Sequence, residues 1–338
     1  VKLFGRKVTF VSPSAITGGF LYGGQLAFKE EAAGKLRIFA ILDIWTQSFL
    51  EPLHRSIFKL LKSLPNDGTF DQNASFSRAM KKSVDYGHAW SVDLTSATDR
   101  LPITLQESLL SSLTGSRDLA KAWKDLLIDR DYLISGDPSK LESYGLEPGS
   151  VQYSVGQPMG ALSSWAMLAL THHFIVQFAV QEVRGNQSTW YDGYEVLGDD
   201  IVLFEEDVYL SYTRILNDLG VPVNLSKSIP SPKVASCEFA KRTSLEGKDV
   251  SGLSWKELLQ GNNLPGKVNL ALRLGPRALL TNISLLKAVL CRFSSDMAQP
   301  LQVGAHHGLL SILGALLNYN KAALNPAICA LVDPHDET

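Results

Sequence analysis

The segment Tyr194-Glu-Val-Leu-Gly-Asp-Asp-Ile-Val-Leu-Phe204 constrains this chain more than any other. Two short β-favouring apolar runs flank a tight Gly-Asp turn, which is how a β-hairpin reads in sequence. The hairpin sets two adjacent carboxylates, Asp199 and Asp200, at its tip. Gly-Asp is also ordinary turn chemistry, so the hairpin alone specifies no function. A second acidic element gives it weight. In Ser91-Val-Asp-Leu-Thr-Ser-Ala-Thr-Asp-Arg100, Asp93 stands at the end of a predicted strand over Ala89 to Leu94. If the hairpin lies beside that strand, Asp93, Asp199 and Asp200 converge at one edge of a sheet.

The neighbouring segments predict such a sheet. Between Ile44 and Leu64, Phe49, Leu50, Leu53, Ile57, Phe58, Leu60 and Leu61 recur at helical spacing, and Thr104 to Leu113 reads as a further helix. Gly136-Asp137-Pro138 and Glu147-Pro148-Gly149 mark loops. The apolar stretch from Gly160 to Val180 carries Ser163, Ser164, His172, His173 and Gln177, too polar for a membrane span, and predicts a buried helix. With no third ligand near, the two histidines are no zinc pair; they read as helix residues with satisfied hydrogen bonds. After the hairpin, Val208, Tyr212, Ile215, Leu216 and Leu219 share a helix face, with Gly220 just past its end and an extended Val221-Pro222-Val223 beyond. Strand, helix, helix, hairpin, helix, strand is the order of a split βαβ sheet with helices on one face, an α+β fold.

Composition excludes some function classes. A net charge of −2 over 338 residues argues against coating nucleic acid through overall positive charge, while leaving room for a local basic channel. Cys237, Cys291 and Cys329 are odd in number and far apart, so neither a disulfide framework nor a close-spaced zinc pattern is expected. The chain opens on Val1 without a charged-then-apolar leader, which reads as a start internal to a longer protein. Beyond Glu257, Lys267, Arg273, Arg277, Lys287 and Arg292 all precede Asp296. That one-sign region fits a cationic solvated face, or helices holding nucleic-acid phosphates.

Three converging carboxylates suit phosphoryl transfer. Two hard cations about 3.5–4 Å apart activate an attacking hydroxyl and stabilise the leaving oxygen. Mg²⁺ keeps several positions for water and substrate phosphates, so two or three protein carboxylates suffice.

The blocks Asp93-Leu-Thr-Ser-Ala-Thr-Asp-Arg-Leu-Pro102, Gly156-Gln-Pro-Met-Gly-Ala-Leu-Ser-Ser-Trp165 and Leu197-Gly-Asp-Asp-Ile-Val202 resemble motifs A, B and C of the RNA-dependent RNA polymerases of mitoviruses and narnaviruses. Flanking blocks match as well: Gly34-Lys-Leu-Arg37, Asp67-Gly-Thr-Phe-Asp-Gln72, Leu225-Ser-Lys-Ser228 and Glu238-Phe-Ala-Lys-Arg242. The resemblance runs in order from about residue 34 to 242, and similar sequences occur as mitovirus-derived insertions in plant genomes.

The resemblance implies a right-hand polymerase with an antiparallel palm sheet and helical fingers and thumb. Fingers would cover 1–90, the palm 91–245 with a fingers insertion around 114–152, and a mainly helical thumb 246–338. It implies two Mg²⁺ ions, or Mn²⁺, on Asp93, Asp199 and Asp200, with Lys227 as general acid toward pyrophosphate. Lys35 and Arg37 would clamp the triphosphate, and Asp99 would sense the ribose 2′-hydroxyl. Gly160, Ser163 and Ser164 would hold template and sugar, although Leu168 stands where related polymerases carry an asparagine. Lys241, Arg242, Arg273 and Arg277 would contact RNA. Ribonucleoside triphosphates, an RNA template and the nascent RNA are the implied partners; no protein partner and no membrane span are predicted, and the family implies a mitochondrial location. The alternatives are a degenerate integrated copy that folds and binds RNA without copying it, an α/β scaffold whose Gly-Asp-Asp is only a turn, and a reverse transcriptase, which Asp99 disfavours.

Overall fold

The computed structural model describes residues 2–3, 6–7, 24–30, 36–185, 189–223, 228–231 and 233–252. The chain divides into two units, Val1–Gly247 and Lys248–Thr338. The expected thumb helices, with Arg273 and Arg277, lie outside the described residues, as do Lys35, Lys227, Cys291 and Cys329.

The first unit opens with a small antiparallel pair, β1 (Lys2–Leu3) and β2 (Arg6–Lys7). Next come β3 (Gly24–Glu30) and β4 (Leu36–Leu42), then α1 (Ile44–Leu61) and α2 (Gln72–Tyr86). β5 (Ala89–Asp93) leads through α3 (Ala97–Arg100), α4 (Ile103–Thr114) and α5 (Arg117–Ile128) to β6 (Tyr132–Ile134), α6 (Pro138–Ser143) and β7 (Gly149–Val151). The long α7 (Ser164–Arg184) precedes β8 (Tyr194–Leu197), β9 (Asp200–Leu203) and α8 (Glu206–Asp218). Three strands follow: β10 (Ile229–Ser231), β11 (Ser236–Phe239) and β12 (Arg242–Leu245).

Two four-stranded sheets organise this unit, ordered β10-β5-β9-β8 and β4-β3-β6-β7. In the second, β3 pairs antiparallel with β4 but parallel with β6, so strands that precede and follow β5 in sequence share one sheet. Gly136-Asp137 and Glu147-Pro148 lie in loops as expected, with α6 between them and β7 starting at Gly149. Pro138 opens α6 at a position where its missing N–H costs nothing, and the Asp137 carboxylate caps it by accepting the Ser139 N–H at 2.9 Å.

The central sheet is antiparallel throughout. Its strands send successive side chains to opposite faces. Trp90 and Val92 of β5, Ile201 and Leu203 of β9 and Tyr194 and Val196 of β8 turn to one face, where Ile175, Val176 and Ala179 of α7 and Val208, Tyr212 and Leu216 of α8 cover them. Helices on one face were expected. The opposite face is also covered: Ala89, Val202 and Phe204 pack against Phe76 and Ala79 of α2 and Cys237 and Phe239 of β11. The unbroken apolar run Ile201–Phe204 reflects that double burial. α2, expected within the fingers segment 1–90, therefore lies on the central sheet. α7 is buried on nearly all sides, because Ala166, Met167 and Leu170 join the core around α1, α4 and α5 while its later turns join the sheet core. Among the described residues no helix is long and apolar enough to cross a membrane.

Candidate active site

β8 and β9 close on a two-residue loop, Gly198-Asp199, with Leu197 opposite Asp200. Gly198 has φ +63° while Asp199 stays at negative φ, the arrangement of a type II′ hairpin loop. β9 also pairs with β5, and the register sets Asp93 directly opposite Asp200. Cross-strand partners hold their Cβ atoms about 4.5–5.5 Å apart, so the two carboxylates project together on one face. That face carries Ser91 and Val202, not the one under α7 and α8. The Asp93 N–H donates to Ser228 Oγ at 3.3 Å, and Asp199 is exposed at the tip.

A cleft of about 440 Å³ opens there, lined by Asp93, Asp200, Glu238, Lys241 and neighbouring backbone. Glu238 and Lys241 come from the β11–β12 hairpin, whose loop residues Ala240 and Lys241 both sit at positive φ, 53° and 59°. Two non-glycine residues in that region each cost about 1–2 kcal/mol. The β11 anchor meets this cost by burying Phe239 and by the Glu238 N–H, which donates to Ser91 Oγ at 2.8 Å. Burial, with the added charge of Asp199, Asp93 and Glu238 against only Lys241, pushes Asp200 up to about 6.

A carboxylate crowded by like charges is one that a hard cation would relieve. Among the described residues no group of three or more His, Cys, Asp and Glu side chains is gathered closely enough to hold a metal ion by itself. An open pair of carboxylates with a third at the tip still matches Mg²⁺, which retains water and substrate oxygens. The donor set fits such an ion.

The 156–165 block lies against the Asp99 turn. A Cβ on Gly156 would fall 2.2 Å from Thr98 O, and the Gln157 N–H donates to that carbonyl at 3.0 Å. Asp99 is exposed on α3, and partial burial raises its pKa while Arg100 opposes the shift. Gly160, at φ +110°, backs onto β4, where a Cβ would sit 2.4 Å from Ala40 O. Arg37 of β4 reaches Met159 Sδ at 3.8 Å in the same loop. Ser163 and Ser164 are both buried, and Ser163 Oγ accepts from Trp123 Nε1 at 2.8 Å. Neither hydroxyl lines the cleft. Arg242 differs from Lys241 as well: its guanidinium stacks 4.1 Å from the Phe76 ring centroid and donates to Asn73 Oδ1 at 2.9 Å.

Sequence reading missed what braces the hairpin. His172 of α7 contacts the Gly198 carbonyl oxygen at 2.8 Å, and a Cβ on Gly198 would lie 2.8 Å from Trp165 Nε1. On the outer edge the Val196 N–H donates to Asn66 O at 2.9 Å and the Gly68 N–H donates to Val196 O at 2.8 Å. The Asp67–Gln72 block thus acts as an added edge to β8, and its Asp71 caps α2. Glu195, buried within β8, accepts from Arg78 at 2.7 Å, Lys82 at 3.0 Å and Ser75 Oγ at 2.7 Å. A buried glutamate in a hairpin strand, matched by cations four apart on α2, was the available signal.

Comparison with known proteins agrees with this geometry. The chain is 38% identical over 240 residues to the RNA-directed RNA polymerase of Cryphonectria parasitica mitovirus 1, covering 70% of this chain and 27% of that protein. It spans about a quarter of that relative's length. An uncharacterized mitochondrial protein of Arabidopsis thaliana is 32% identical over 225 residues, 65% of this chain and 86% of its own length. Among solved structures, telomerase from Candida albicans in complex with a fragment of telomeric RNA superposes with a TM-score of 0.60 at 12% identity, over 95% of this chain and 63% of that one. This likeness shows the α+β right-hand polymerase fold. The Mitovirus RNA-dependent RNA polymerase family model matches residues 2–307, and the chain belongs to that family.

Proposed function

We propose that this chain catalyses RNA-templated addition of ribonucleotides to an RNA 3′ end, with Asp93, Asp199 and Asp200 holding two Mg²⁺ ions. The observation that carries the reading is the Asp93–Asp200 register pair beside the Gly198-Asp199 loop. Mg²⁺ bound there would neutralise charge on the transferring phosphoryl group and lower the pKa of the attacking 3′-hydroxyl.

The protein's own groups then divide the work. Asp93 and Asp200 hold their carboxylates side by side, already aligned by strand pairing, so no reorganisation is needed when charge develops. Asp99, exposed beside the cleft strand, accepts a hydrogen bond from the ribose 2′-hydroxyl, and a deoxynucleotide would leave that acceptor unpaired. Arg37 with Lys35 neutralises the triphosphate, and Lys227 supplies the proton to pyrophosphate. Lys241 opposes the acidic cluster from the β11–β12 loop and contacts a phosphate of the growing strand. Fingers cover 1–90 apart from α2, which belongs with the palm; the palm covers 91–245 with a fingers insertion around 114–152, and the thumb 246–338. The likeness to a mitochondrial protein of Arabidopsis thaliana supports a mitochondrial location.

Primer extension on an RNA template with Mg²⁺ tests the reading. The wild-type chain extends the primer with ribonucleotides, and Asp199→Ala falls by at least ~10³-fold while keeping its circular dichroism spectrum. Undiminished synthesis by the folded variant removes Asp199 from the metal set. The 32% identity to an uncharacterized mitochondrial protein of Arabidopsis thaliana supports a second reading: an integrated copy that binds RNA without extending it. Retarded migration of a primer–template duplex with no extension by the wild type selects that reading.

A further inference from the structure

His172 lies in the middle of α7, 2% exposed, with its ring stacked on that of Tyr212. An imidazole in such surroundings is costly unless both ring nitrogens are bonded. Nδ1 is 2.8 Å from the Gly198 carbonyl oxygen, and Nε2 is 2.6 Å from the Tyr212 hydroxyl of α8. A carbonyl only accepts, so Nδ1 carries the proton, and in the neutral ring Nε2 accepts from the Tyr212 O–H. The chain Tyr212 to His172 to Gly198 therefore runs in one direction and ends on the hairpin loop.

The Gly198 carbonyl belongs to the Gly198–Asp199 peptide, the central peptide of the two-residue loop. Rotating that peptide by half a turn interconverts the primed loop types and re-aims Asp199. A glycine at φ +63° offers little resistance to the rotation. The bond from a helix-anchored imidazole supplies the resistance. Trp165, seven residues earlier and so on the same face of α7, lies directly beneath Gly198 and blocks its inward movement.

We propose that His172, held by Tyr212, is a positioning residue that locks the Gly198–Asp199 peptide and thereby aims Asp199 and Asp200 for cation binding and catalysis. This rests on the polymerase reading for its catalytic consequence, while the locking itself is testable without turnover.

The test compares full-length His172→Asn, His172→Gln and Tyr212→Phe. An asparagine amide sits where Nδ1 was and keeps the bond to Gly198; a glutamine amide reaches the Nε2 position and loses it. Hydrogen–deuterium exchange over residues 194–204 and Mn²⁺ binding by titration calorimetry are read first, then primer extension. For His172→Gln the loop amides exchange about tenfold faster and Mn²⁺ binds about tenfold more weakly, as expected for one lost buried hydrogen bond. Its kcat falls at least as far with the nucleotide KM unchanged, His172→Asn stays within about threefold of wild type, and Tyr212→Phe falls between them. Equal loop exchange and equal Mn²⁺ affinity in the Asn and Gln variants overturns the proposal, as does a loss that merely follows global stability. Should His172→Gln not fold, Tyr212→Phe carries the exchange test, and wild-type loop exchange in it overturns the relay. A wild-type chain without extension activity defeats the polymerase reading, yet the exchange and Mn²⁺ measurements still decide the positioning role.

Discussion

Asp200 and His172 show how far a single side chain's surroundings shift its chemistry. Asp200 is raised by burial and by the carboxylates around it, while His172 is lowered from 6.5 to about 4, chiefly by burial. Between those two values the unfolded chain binds a proton at this histidine and the native chain does not. The contribution to stability is therefore full above pH 6.5 and is lost as pH falls toward 4, on the order of 3 kcal/mol in all. Urea unfolding at pH 7 and pH 4.5 checks this. His172→Asn, which cannot titrate, loses less stability over that interval than wild type by an amount of that order. Equal losses would mean that His172 is protonated in the fold. Trp165 and Ser163 carry the same lesson in another form, since each is set by a partner distant in sequence rather than by its own helix.

At the scale of elements, the β8–β9 hairpin is clamped between α7 on one face and α2 on the other. On its α2 side β8 adds a polar cluster beside the apolar contacts of β9: Glu195 is fully buried and answered by Arg78, Lys82 and Ser75. Removing one partner of a buried pair costs about 3–5 kcal/mol, because the remaining charge keeps its desolvation without compensation. Arg78 retains 36% side-chain exposure, so Glu195→Ala should fall at the low end of that range. Chemical denaturation measures the loss, and limited proteolysis should place new cleavage in the 66–86 segment as α2 loosens. A loss below 1 kcal/mol would show that the cluster is solvated in solution. The β11–β12 hairpin serves the opposite face of the cleft, spending backbone strain at Ala240 and Lys241 to bring one cation toward the acidic pair.

For the whole molecule, a net charge of −2 means that any RNA contact is made by a few placed cations rather than by a general field. Each phosphate contact contributes about −0.7 to −0.9 to the slope of log affinity against log salt. Fluorescence anisotropy with an RNA primer–template should show that slope shrinking by about one in Lys241→Ala, with binding weakened alike for every sequence. An unchanged slope would remove Lys241 from the RNA path. Much of the fold was legible in local pattern: the strand at Ala89, the hairpin, α7, and α8 with Gly220 beyond it. The covering of the second sheet face by α2, the parallel pairing of β3 with β6, and the burial of Ser163 and Ser164 were not legible. Each depends on which distant segment arrives as a neighbour, and periodicity within a segment carries no record of that. The sequence by itself determined that carboxylates end one strand and crown a two-residue turn, because turn length and side-chain alternation are local properties. Only the tertiary structure decided that β5 and β9 are neighbours with Asp93 opposite Asp200. A slip of one residue would have sent one carboxylate under the helices, and it is the packing of both sheet faces that forbids the slip.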